Sequence, residues 1–161
     1  MKKASKISIK ILLLSLISIG VLSYFSGKFT KTSVSTWYQT LQKPALTPPD
    51  ITFPIVWSLL YFMIAIAFWQ LLLTKMRKNM PNAPLTYFVI QIILNFLWSP
   101  LFFALECPLL GLIDIIPLWF FILLTIISSY KYSKAASWLL LPYFLWVSFA
   151  VYLNASIVFL N

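Results

Sequence analysis

Three side chains able to hydrogen-bond or stack recur at helical spacing in one apolar stretch: Gln91, Asn95 and Trp98. Steps of four and three put them on one face of a helix. A second stripe holds Tyr143, Trp146, Ala150 and Asn154, with Trp138 and Pro142 on a neighbouring one. Trp57 and Tyr61 are four apart, and Asp114 is a lone acid inside another apolar stretch. Together they describe an aromatic-walled cavity with a few oriented donors, which suits a flat, largely apolar ligand. Taken singly, Gln91, Asn95 and Asn154 also read as bonds between helices, at about 0.6 kcal/mol each. Trp57 and Trp138, near segment starts, also read as membrane-interface anchors.

Covalent chemistry has little to work with. The chain has no His, which removes His-based triads, His metal sites and His haem ligation together. Its single Cys107 excludes an internal disulfide and any multi-Cys metal cluster. Three Gly cannot build a phosphate cradle. The acids Asp50, Glu106 and Asp114 fall in different segments, so no carboxylate pair is indicated. Asp114, costly to bury unpaired, would orient a ligand rather than attack it. No cofactor is expected.

The elements that position these residues are membrane spans. Of 161 residues, 61% are hydrophobic and 9% charged, where a water-soluble domain carries about 25%. A spanning helix needs about 20 mostly apolar residues. Five segments qualify or come close, at about 9–24, 53–74, 86–105, 108–129 and 136–160. The expectation is an all-α membrane protein: one domain over residues 1–161, a five-helix bundle. The first segment, behind Lys2, Lys3, Lys6 and Lys10, also resembles a signal peptide, but bulky Ser23-Tyr24-Phe25 offers no cleavage site. A retained helix is the favoured reading.

The net charge of +9 does not point to nucleic acid, because the cations sit at segment ends and form no basic stripe. With five spans, nine of them share the side of the N-terminus, and Lys28, Lys31 and Lys43 lie on the other. The positive-inside rule then puts the N-terminus in the cytoplasm and the C-terminus outside. Residues 25–52 form a long first loop, and such loops are uncommon unless functional. Trp37, Tyr38 and Leu41 interleave there with Pro44, Pro48 and Pro49. Two readings stand: a lid over the bundle mouth, or an interfacial aromatic anchor. An odd number of spans argues against a two-fold pseudo-symmetric transporter.

Trp37-Tyr38, Leu41, Lys43-Pro44 and Thr47-Pro48-Pro49 resemble the first-loop signature of the TspO/MBR family of tryptophan-rich sensory and translocator proteins. The likeness continues in order through Pro54, Val56-Trp57, Leu60-Tyr61, Asn95, Trp98, Pro100, Phe102-Phe103, Leu112 and Asp114. It ends with Trp138, Leu140, Pro142-Tyr143, Trp146, Phe149-Ala150 and Leu153-Asn154. The resemblance implies a five-helix bundle, often a homodimer, with a pocket closed by the first loop and lined by all five helices. It implies porphyrins such as protoporphyrin IX, sterols and benzodiazepine-type compounds as ligands. It implies that Trp37, Trp57, Asn95, Trp138 and Tyr143 line the pocket and that Asp114, Ala150 and Leu153 approach it. Some bacterial members are reported to degrade protoporphyrin in light, and the resemblance would give Trp57 and Trp138 that role.

The chain departs from the family in two places. Tyr152 has no following Lys or Arg, so the sterol motif of animal members is incomplete. Ala104-Leu105-Glu106 stands where many members carry Gly and a basic residue. The Lys-rich ends and minimal tail suggest a bacterial cytoplasmic membrane protein. A porphyrin fits physically: its flat face stacks on Trp and its carboxylates meet Lys43 or Lys31. The missing His favours a metal-free porphyrin over haem. Ligand receptor or sensor, porphyrin-degrading enzyme, and tetrapyrrole or lipid transporter are the functions to separate.

Overall fold

The computed structural model describes residues 2–161, with side chains from Lys6 onward except residue 32. The described residues form helices and no strand. They are α1 (Lys2–Val34), α2 (Trp37–Thr40), α3 (Thr52–Arg77), α4 (Ala83–Ser99), α5 (Pro108–Tyr130) and α6 (Lys134–Leu160). All but α2 supply a stretch long and apolar enough to cross a membrane, α4 together with the turn that continues it to Ala104. Each of these five also leaves large apolar side chains on the outside, among them Ile17, Ile55, Ile93, Ile113 and Leu145. A soluble monomer would bury such a surface; lipid accepts it.

α1 departs most from its expected range. It runs on through residues expected to form the start of the loop, so the first connection is only 35–51. Two hydroxyls in this stretch are satisfied by the helix itself or by a neighbour. Thr30 Oγ1 donates to the Ser26 carbonyl at 3.0 Å, and Ser33 Oγ to the Phe103 carbonyl at 2.8 Å. No proline lies between Phe25 and Val34 to stop the helix.

The spans pack in the ring α1–α3–α6–α5–α4, and the end of α4 returns to α1. Pro100 shapes that return. Lacking an N–H, it cannot continue the α-ladder, and Pro100–Ala104 widen into a π-helical turn in which Leu105 N–H reaches back to the Pro100 carbonyl at 2.9 Å. Such turns re-aim side chains and recur at functional sites. Here it buries Phe102 and Phe103 side by side. Glu106 then takes a φ of 50°, a conformation that suits Gly best. Pro108 opens α5 at a position where its missing N–H costs nothing.

One half of the bundle is solid. Ile64, Leu71, Phe88, Ile122 and Leu140 fill it, and the Phe68 and Phe88 rings stack 4.8 Å apart. Ser129 and Ser137 hydroxyls meet at 2.9 Å between α5 and α6, and Ser133 caps α6. The other half, toward the first connection, is hollow.

Candidate ligand cavity

The hollow half holds a cavity of about 640 Å³, within the ~300–1,000 Å³ typical of small-molecule sites. α3 contributes Phe53, Trp57 and Tyr61. The end of α4 and its π-turn contribute Asn95, Trp98, Phe102 and Phe103. α6 adds Ala150, Leu153, Asn154 and Ile157. α1 supplies Ser23, Ser26, Gly27, Thr30, Lys31 and Val34, and the first connection supplies Tyr38 and Asp50. A neighbouring pocket of about 30 Å³ shares Phe53, Trp57, Asn95, Trp98 and Ala150 and adds Trp146, Ile115 and Leu118. Thus α5 reaches only the small pocket, and four spans rather than five line the large one.

Hydrogen bonds fix the polar groups of the wall. Tyr61 Oη donates to Asn95 Oδ1 at 2.8 Å, and Asn95 Nδ2 donates to Tyr143 Oη at 3.0 Å. Trp98 Nε1 donates to Asn154 Oδ1 at 3.1 Å, and Asn154 Nδ2 to the Pro108 carbonyl at 2.8 Å. These two chains tie α3, α4, α5 and α6 together around the cavity. The Trp57 ring leans on Tyr61 and Tyr143, with centroids 5.3 and 6.2 Å away. The Trp98 and Phe102 rings stack at 5.1 Å.

The connection closes over this end. Tyr38 is buried against Phe102 and Phe103, with Lys43 Nζ 4.3 Å from its ring centroid. Burial first, then the charge of Asp50, push the Tyr38 phenol up to about 12, so the ring stays uncharged. Gln39 Nε2 donates to Asp50 Oδ2 at 2.8 Å. The Asn161 amide brackets Gln42, accepting from its N–H at 2.9 Å and donating to its carbonyl at 3.1 Å.

Of the residues singled out from sequence, Trp57, Tyr61, Asn95, Trp98, Ala150 and Leu153 meet at the large cavity, and Trp146 at the small one. Tyr143 is fully buried one layer behind, held by Asn95. Trp37 packs on Phe102 at 5.7 Å, outside the lining. Asp114 is buried on α5 with its Oδ2 unpaired, again outside the lining. Pro142 is exposed, and Trp138 is 61% exposed on the outer surface. This corrects the pairing of Trp57 with Trp138: the α6 indole that shares a pocket wall with Trp57 is Trp146, two turns further on. Asp50, Tyr38, Phe102 and the α1 hydroxyls were not among the site residues expected from sequence, whereas Lys31 was expected to meet a ligand carboxylate. For α1 the signal is the spacing of Ser23, Ser26, Thr30 and Val34, visible only once that helix is extended.

A ring of five apolar helices around an aromatic-walled cavity, closed at one end by a short connection, defines a polytopic membrane protein with an internal binding site. Residues 12–160 match the TspO/MBR family, and the chain belongs to it. It is 47% identical over 138 residues to the tryptophan-rich protein TspO of Chlorobaculum tepidum, covering 85% of this chain and 87% of that one. It is 43% identical over 158 residues to the protein of the same name from Archaeoglobus fulgidus, covering 93% and 96%. A translocator protein of Sus scrofa is 32% identical over 121 residues, covering 73% and 70%.

Proposed function

We propose that this protein is a membrane receptor that takes a porphyrin, protoporphyrin IX in the first instance, into the cavity between α1, α3, α4 and α6. One observation carries the reading: a cavity of about 640 Å³ walled by Phe53, Trp57, Trp98, Phe102 and Phe103. A planar tetrapyrrole buries its faces there, and each aromatic pair adds about 0.5–1.5 kcal/mol beyond burial. The names of the relatives, sensory and translocator proteins, agree with ligand capture in a membrane. The bacterial cytoplasmic membrane is the proposed location.

The test is a titration of the detergent-purified protein with protoporphyrin IX in darkness, following Trp fluorescence and the porphyrin Soret band. The expected result is saturable quenching that weakens about tenfold in Trp57→Ala, the loss of one large aromatic contact. Quenching that never saturates, or that is unchanged in Trp57→Ala, would overturn the assignment. Illumination of the same samples separates receptor from enzyme: Soret bleaching above that of free porphyrin, lost in Trp57→Phe, would make the protein a degrading enzyme instead.

A further inference from the structure

The cavity has two unlike walls. Across α3, α4 and α6 it is mainly aromatic and aliphatic, and the Asn95 and Asn154 amides there are committed to hydrogen bonds within the wall. Along α1, Ser23, Ser26, Thr30 and Lys31 all face it, because their spacing keeps them on one side of the helix. Hydroxyls on a membrane helix usually turn inward to bond their own backbone. Thr30 does so. Ser26 is 5% exposed, and its Oγ lies beside the Tyr61 hydroxyl without a well-formed hydrogen bond. The Tyr61 proton is committed to Asn95. Ser26 Oγ is thus packed against the Tyr61 oxygen and closed off from the cavity, which leaves Lys31 as the charged group of this wall.

Three cations lie at this end of the bundle, and two are engaged. Lys28 Nζ sits 5.9 Å from the Tyr24 ring centroid. Lys43 lies over Tyr38 and donates to Gln39 Oε1 at 3.4 Å. Lys31 is the one that lines the cavity. Asp50 lines it from the first connection, beside Tyr38, and repels a carboxylate placed there.

We infer that α1 is the charge-reading wall of the site: Lys31 pairs with a carboxylate on one edge of the ligand, while the aromatic walls take its flat body. The ligand class is then a planar amphiphile whose acidic groups share one edge. This rests on the porphyrin reading and narrows the anion contact from the loop cations in general to Lys31.

Protoporphyrin IX and its dimethyl ester, titrated into the same detergent-purified protein, provide the test. The wild type should bind the diacid about tenfold more tightly than the diester, the order expected of one charge-assisted contact. Lys31→Met should bring that ratio below about twofold by weakening the diacid alone, again the loss of one such contact. Lys31→Arg should restore the ratio, and Lys43→Met should leave it intact. A preference that survives Lys31→Met, or that disappears in Lys43→Met, would overturn the inference. Equal wild-type affinity for the two compounds sinks it while leaving the porphyrin reading in place. Failure of both compounds to bind sinks the two together.

Discussion

Asn95 joins three spans through one carboxamide, accepting from Tyr61 on α3 and donating to Tyr143 on α6. The two phenols differ in surroundings. Tyr61 lines the cavity, whereas Tyr143 is fully buried. Tyr143→Phe strands the Asn95 N–H in the packed interior, which costs about 1–3 kcal/mol. Tyr61→Phe strands an acceptor beside a space that water or ligand can fill, so its cost is smaller. Thermal unfolding in detergent should therefore rank the wild type first, Tyr61→Phe second and Tyr143→Phe last. The reverse order would mean that the network is not anchored on its buried side. The spacing of Gln91, Asn95 and Trp98 made this face legible in the sequence, because a helix turns every 3.6 residues whatever surrounds it. It could not say how deep each residue lies. Gln91 ends fully buried with both amide atoms unpaired, below the cavity rather than in it.

Helical elements were readable wherever an apolar run and a proline marked their ends, as at Pro108. α1 was misjudged because hydroxyls and lysines lower hydropathy without breaking a helix, so its last turns looked like loop. Trp138 was misplaced for another reason: an indole on an apolar helix is equally at home facing a ligand or facing lipid, and sequence spacing does not choose. The close approach of α5 to the π-turn was also invisible beforehand. A Cβ on Gly111 would fall 2.8 Å from Phe102 Cδ2 and 2.9 Å from Asn154 Oδ1. Those two side chains line the cavity, and Asn154 also holds Trp98. On helix propensity alone, Gly→Ala is favourable by about 1 kcal/mol. Gly111→Ala should nonetheless destabilise by about 1–3 kcal/mol, the usual cost of overpacking, and weaken porphyrin quenching. Gly20→Ala, with nothing within 4 Å of the new methyl, should hold or raise the melting temperature. Equal melting temperatures for the two variants would refute a tight α5–π-turn contact.

At the scale of the whole molecule, the ring of spans has a solid end and a hollow end, and charge follows the same division. Nine of twelve cations belong to the solid end, with no acid among them, while Asp50 and Glu106 both lie at the hollow end with Lys28, Lys31 and Lys43. Two of the nine also hold their loops in place: Lys78 Nζ donates to the Tyr132 carbonyl at 2.8 Å, and Lys75 Nζ to that of Met80. Cations near span ends resist transfer across a membrane and so set orientation. The cavity should therefore open on the extracytoplasmic side, where a ligand arriving from outside meets Lys31 first. Single-cysteine variants test this: Glu106→Cys and Lys131→Cys, each with Cys107→Ser. A membrane-impermeant maleimide applied to intact cells should label position 106, and position 131 only after permeabilisation. The opposite pattern would turn the cavity toward the cytoplasm and make newly synthesised intracellular ligand its natural supply.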